Sequence, residues 1–142
     1  MTLKPPEETY VHNAAELTAL WQDLMGPWGF ARRSLWLIFL HADGQLSPVV
    51  MPIDDIPVQP DAEMLANLAA VIDQLADDVG ISSAALLLSR PGSAHITASD
   101  TAWAREIARA FAGRLTRWPV HLATRGTVRT FAPDDLIASR SA

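Results

Sequence analysis

Between Asn13 and Leu24 the apolar positions Leu17, Leu20, Trp21 and Leu24 recur at helical spacing, whereas from Leu35 to Leu40 every position is apolar. The first pattern predicts a helix with one buried face. Asn13 opens it, Glu16 three residues on completes a capping box, and Gly26-Pro27 ends it. The second pattern predicts a strand covered on both sides. Asp43-Gly44 is a favoured turn pair, so Ser34–Ile53 reads as a hairpin. Pro48 and Pro52 push its second strand to an edge, because proline cannot donate to a ladder.

Further along, Asp61 caps the longest predicted helix, which runs to about Asp78 and stops at Gly80. Met64, Leu68, Ile72, Leu75 and Val79 form a stripe that should lie on the sheet, and such stripes are core rather than cofactor boxes. "SSAALLLS" is the next buried strand. A helix from Ala98 to Ala112 follows, with Trp103, Ile107 and Phe111 on one face and Gly113 as its cap. "VHLAT" and "TVRTF" form a second hairpin across Arg125-Gly126. Residues 1–9, rich in Pro and Glu, read as a flexible arm. The order α-β-β-α-β-α-β-β predicts one α/β or α+β domain, a mixed sheet with helices on its faces.

Composition narrows the function classes. The chain has 142 residues, 49% hydrophobic and 19% charged, which suits a single globular domain. Its longest apolar run, Leu35–Leu40, is far short of the roughly 20 residues a membrane helix needs. The N-terminus MTLKPPEETY lacks the apolar stretch of a signal peptide, so a cytoplasmic location and no membrane contact are expected. Without cysteine there is no disulfide framework and no thiolate metal ligand. The net charge is −5, and Arg32, Arg33, Arg90, Arg105 and Arg109 are scattered. No basic stripe results, so nucleic acid is not an expected partner.

Candidate chemistry gathers in "LLLSRPGSAHITASDTAWARE", where a buried strand ends in a polar loop and a capped helix opens. Ser89 and Ser93 flank Arg90 and suit either an anion pocket or ordinary turn chemistry. His95 is a lone loop histidine, a general base only if a nucleophile were near, and no Ser or Cys is placed for that role. Asp100 stands three residues after Thr97, the spacing of a reciprocal helix cap, and within reach of Arg90 if the loop folds back. His41 and His121 fall in strands as edge or core residues, and no His-x-x-x-His spacing exists. The pairs Asp54-Asp55 and Asp77-Asp78 read as solvated. Trp28 and Phe30, in a Gly/Pro loop, either anchor a partner or fold over the sheet.

This order of elements, with a strand, a Pro-containing loop and a capped helix at its centre, resembles the JAB/MPN (JAMM) metalloprotease-like family, and is most similar to the domain of RadC-type proteins. That family carries His-x-His-Pro at a strand end, then Ser-x-x-Asp opening a helix, and a Glu near the start of the first strand. The two His and the Asp hold zinc, and the Glu serves the zinc-bound water. Here Leu88-Ser89-Arg90-Pro91 stands where His-x-His-Pro would be, and Thr97-x-x-Asp100 where Ser-x-x-Asp would be, with the loop between them one residue shorter. The Glu position falls on Arg33. The likeness spans roughly Ser34 to Leu136 and implies a JAB/MPN-like, cytidine-deaminase-like architecture.

Leucine has no lone pair for a metal, and arginine offers no acceptor and repels a cation. Asp100 alone cannot build the three-ligand site with one open position that such zinc chemistry requires. The resemblance therefore implies a catalytically inactive JAMM-like domain, without metal or cofactor, acting as a binding or protein-interaction module. Its expected partner is another protein or a second copy of the chain. Two alternatives remain open: a metal-free hydrolase using His95, Asp100 and Arg90, and a small-anion-binding regulator built on the Arg90–Asp100 loop.

Overall fold

The computed structural model describes residues 5–25, 32–93, 95–111, 118–124 and 127–131. Helix α1 (Ala14–Met25) is followed by strands β1 (Ser34–Leu40) and β2 (Leu46–Asp54), helix α2 (Ala62–Val79), strand β3 (Ser83–Ser89), helix α3 (Ala98–Ala110) and strands β4 (His121–Thr124) and β5 (Thr127–Thr130). The strands form one mixed sheet in the order β2-β1-β3-β4-β5. Only β3 and β4 run parallel, joined through α3, and the other neighbours are antiparallel. The chain is an α+β protein.

The all-apolar strand β1 lies between β2 and β3, and its alternating side chains feed two cores. Leu35, Leu37 and Phe39 pack with α2 and α3, while Ile38 and Leu40 pack with Leu17, Trp21 and Met25 of α1. Strand β3 is buried along its whole length and alternates likewise, with Ala84, Leu86 and Leu88 on the α2–α3 face and Ala85 and Leu87 on the α1 face. Each fully buried Leu or Phe contributes about 1.5–3 kcal/mol, so the doubly covered pair β1–β3 is the centre of stability.

Helix α2 packs on the sheet through the expected stripe, with its buried seam widened to Leu65 and Ala69. Leu65, Leu68, Ala69 and Ile72 are buried, whereas Met64 and Leu75 are only partly so. A helix face advances by three or four residues, and α2 centres its seam on Leu65 and Ala69, leaving Met64 and Leu75 at the borders. The side chain of Val79 lies outside the described residues. In α1 the buried line is Leu17, Trp21 and Met25, with Leu20 and Leu24 at its margin.

Caps form largely as the sequence suggests. Asp61 accepts from the Met64 amide, and Gly80 ends α2 in left-handed geometry. Asn13 accepts from the Glu16 amide, but the Glu16 carboxylate reaches back to the His12 amide rather than to Asn13. Helix α3 ends at Ala110 with Phe111 as its C-cap, before the expected Ala112 and Gly113, while the stop at Gly26-Pro27 and the turn at Arg125-Gly126 lie outside the described residues.

Strand β2 is an edge, as its prolines require. The β1–β2 turn is one residue wider than a two-residue hairpin: His41 N–H donates to Gln45 O and Gly44 N–H to His41 O, both at 2.9 Å. Gly44 has φ +90, and a Cβ there would come within 2.7 Å of Val11 O, so both backbone and space demand glycine. Beside β2, residues 6–8 form a 3-10 turn, and the Leu46 amide donates to Thr9 O. Pro48 and Pro52 offer no donor, so the arm and the prolines together blunt this edge against pairing with another strand.

Candidate functional site

The start of β1, the end of β3 and the first turn of α3 meet at one end of the sheet. The antiparallel register pairs Ser34 with Ser89, which places Arg33 beside Arg90. Beyond β3, Arg90 N–H still donates to Ala123 O, and Pro91 restricts Arg90 to extended geometry. Gly92, at φ +104, turns the loop back, and Thr97 caps α3 in a reciprocal box with Asp100.

Arg90 and Asp100 form a buried, two-pronged ion pair. Arg90 Nε donates to Asp100 Oδ1 at 2.8 Å and Oδ2 at 3.0 Å, and Nη2 donates to Oδ2 at 2.7 Å. The guanidinium also donates to three loop carbonyls: Nη1 to Pro91 O at 3.1 Å and Ser93 O at 3.0 Å, and Nη2 to His95 O at 2.8 Å. All five N–H donors of the side chain are thereby committed. The loop has become a carbonyl cage around an internal cation.

Asp100 is 1% exposed. Its Oδ2 also accepts from the Thr97 amide at 2.9 Å, while Asp100 N–H donates to Thr97 Oγ1 at 3.2 Å. Burial pushes the carboxyl pKa upward, but the hydrogen bonds from Arg90 and the Thr97 amide, with the Arg90 charge, outweigh it. The net result lies below the ordinary carboxylate value, so Asp100 is held ionised.

Arg33 approaches the same carboxylate from β1. Its Nη1 lies 3.8 Å from Asp100 Oδ1, an ion pair without a hydrogen bond. Arg32, next to it, instead pairs with Asp54 and Asp55, at 3.7 and 3.5 Å. Those two carboxylates are thus exposed but engaged, and Asp54 also accepts from the Ser34 hydroxyl at 2.8 Å.

The remaining candidates separate. Leu88 is buried in the α2–α3 core opposite Leu35. Ser89 does not join Arg90: strand alternation turns it to the other face, where its hydroxyl accepts from Trp36 Nε1 at 3.0 Å. Ser93 and His95 lend backbone carbonyls to Arg90 while both residues are exposed. Asp100, with both oxygens engaged and no exposure to speak of, is no partner for a His95 base. Trp28 and Phe30 lie outside the described residues.

His41 and His121 sit elsewhere. His121 is fully buried under α1, with Nε2 2.7 Å from Thr18 Oγ1 and Nδ1 3.2 Å from Pro119 O. Burial lowers its pKa more than the Pro119 carbonyl raises it. His41 lines a cavity of about 350 Å³ with His12, Ser83 and Trp118. That cavity lies at the opposite end of the sheet from Arg90 and shares no residue with the site. Among the described residues no group of three or more His, Asp or Glu side chains is placed to hold a metal ion. Nor is any described helix long and apolar enough to cross a membrane.

The three loop carbonyls were not foreseeable from side-chain chemistry, because every residue except proline carries the same backbone groups. The only signal is Pro91-Gly92, a pair that marks a sharp turn immediately after the arginine. Compared with known proteins, the chain matches no protein-family model and no curated protein.

Proposed function

We propose that this chain is a catalytically inactive JAMM-like domain that serves as a binding or protein-interaction module in the cytoplasm. The observation that carries this reading is the Arg90–Asp100 pair. At the positions where the resemblance expects metal ligands and a water-activating carboxylate, Leu88, Arg90, Asp100 and Arg33 stand in one neighbourhood. Two of them are cations, one is a core leucine, and the single carboxylate is already neutralised. The cation that joins strand end to helix start is a guanidinium belonging to the chain itself.

The same geometry weakens both alternatives. A metal-free hydrolase needs an available base and acid, and Asp100 is buried and held ionised by two hydrogen-bonding partners. An anion pocket centred on Arg90 needs donors, and all five are committed. The proposed partner is another protein or a second copy of the chain, contacted through Trp28 and Phe30.

Elemental analysis of chelator-free protein tests the site, with zinc expected well below one per chain. Stoichiometric zinc that disappears in Asp100→Ala, or turnover of a peptide or isopeptide substrate, overturns the reading. Partner binding is tested by comparing the wild type with Trp28→Ala/Phe30→Ala in sedimentation velocity and in capture from native extract. Loss of self-association or of a specific captured protein is expected in the double variant.

A further inference from the structure

We propose that Arg33 is an oxyanion anchor at the mouth of this site, taking the carboxylate or phosphate group of a ligand. The inference rests on the reading of the site as a binding module and names the chemistry it would bind. Two arginines converge on Asp100, and Arg90 is fully occupied by that carboxylate and the loop carbonyls, while the adjacent Arg32 turns to Asp54 and Asp55. Arg33 donates no hydrogen bond among the described residues. Its one ion-pair partner among the described residues, Asp100, is 3.8 Å away and already accepts from Arg90 and from the Thr97 amide.

The Arg33 side chain is 23% exposed, and its ion pair with Asp100 is too long to be a hydrogen bond. Its backbone is fixed at the head of β1, where Arg33 O accepts from the Ile56 amide at 3.1 Å. The main chain is therefore fixed before binding, and partial burial of the side chain limits its rotamers, which reduces the ordering cost of binding. Arg33, Arg90 and Asp100 together carry one net positive charge, located on the group whose donors meet no acceptor among the described residues. A planar fork of this kind matches a carboxylate or phosphate through two parallel hydrogen bonds, and partial desolvation strengthens them. The oxyanion can come from a free small molecule or from an acidic side chain of a partner protein.

The test is a chemical-shift titration of the ¹⁵N-labelled full chain at low salt with three probes: inorganic phosphate, acetate and a glutamate-rich peptide. Saturable shifts centred on the amides of residues 33, 34 and 97 are expected for at least one probe. Arg33→Gln should weaken that binding by at least about tenfold, the loss expected for a charge-assisted pair. Arg33→Lys, which keeps charge but not the fork, should fall between. Arg129→Gln, an exposed arginine on β5, should leave binding unchanged. Tighter binding of phosphate or acetate identifies a free anion as the source, and tighter binding of the peptide an acidic partner segment. No saturation with any probe, or equal weakening in Arg33→Gln and Arg129→Gln, overturns the proposal. Should Arg33→Gln fail to fold, Arg33→Lys against Arg129→Lys decides by the same criterion. A zinc-free, inactive protein that ignores all three probes would remove the role of Arg33 alone and leave the interaction-module reading standing.

Discussion

Arg90 and Asp100 bridge the end of β3 and the first turn of α3 through Nε–Oδ1 and Nη2–Oδ2 contacts of 2.8 and 2.7 Å, with side chains only 6% and 1% exposed. Such a pair belongs to the buried regime, where removing one partner leaves an uncompensated charge. Asp100→Ala should cost roughly 3–5 kcal/mol in denaturant unfolding. Arg90→Ala should also destabilise, and the double variant should lose much less than the sum of the two. Additive losses in that cycle would show that the two side chains act independently.

The same pair sets an acid limit. Asp100 has a folded-state pKa below its unfolded value near 3.9, so its contribution is complete above that pH. As pH falls from about 4 through the folded value, the unfolded chain takes up the proton first and the contribution is lost. Asp100→Asn should be less stable at neutral pH and show a shallower decline below about pH 4. Parallel acid limbs in urea midpoints would exclude Asp100 as a major source of acid sensitivity.

His121 works in a second window. Its pKa is lowered by burial, so the folded state prefers the neutral ring. Stability is complete above the unfolded value near 6.5 and declines as pH drops from there towards the folded value. Because the ring contacts Thr18, α1 should loosen with it. Protection factors in α1, corrected for the intrinsic exchange rate, are expected to fall as pH drops below about 6.5, and His121→Gln should flatten that dependence. An unchanged slope in the variant would count against this residue.

Gly92 holds the cage open for Arg90. Its φ is +104, and a Cβ would sit 3.3 Å from Arg90 Nη1. Gly92→Ala should cost about 1–3 kcal/mol from backbone strain and also disturb the loop carbonyls. A thermal melt reads the first effect, and the side-chain Nε–H resonance of Arg90 reads the second. A variant with an unshifted melt and an unshifted resonance would refute both.

Ser89→Ala separates scaffold from site. Its hydroxyl accepts from the Nε1 of half-buried Trp36, so the variant removes that acceptor and should cost about 0.5–1.5 kcal/mol. Anion titration at Arg33 should be unaffected, since Ser89 faces the other side of the sheet. A change in that titration would place Ser89 in the site after all.

Local signals were sufficient for the elements themselves. The all-apolar Leu35–Leu40, the caps at Asp61, Thr97 and Gly80, and the edge-making Pro48 and Pro52 act over a few residues, and their geometry follows from backbone sterics and period. Even the meeting of Arg90 with Asp100 was legible, because Pro91 and the Thr97 cap constrain both ends of a short loop. Which face a residue takes, and what else arrives there, is settled only when the strands pair. The β1–β3 register sets Arg33 beside Arg90, strand alternation sends Ser89 to the opposite core, and the loop carbonyls close on the guanidinium. Those contacts join positions distant in sequence or use backbone atoms common to every residue, so no side-chain pattern encodes them. That is why the sequence could bring Arg90 and Asp100 to notice, while only the tertiary structure decided that the donors of Arg90 are committed and that those of Arg33 meet no acceptor among the described residues.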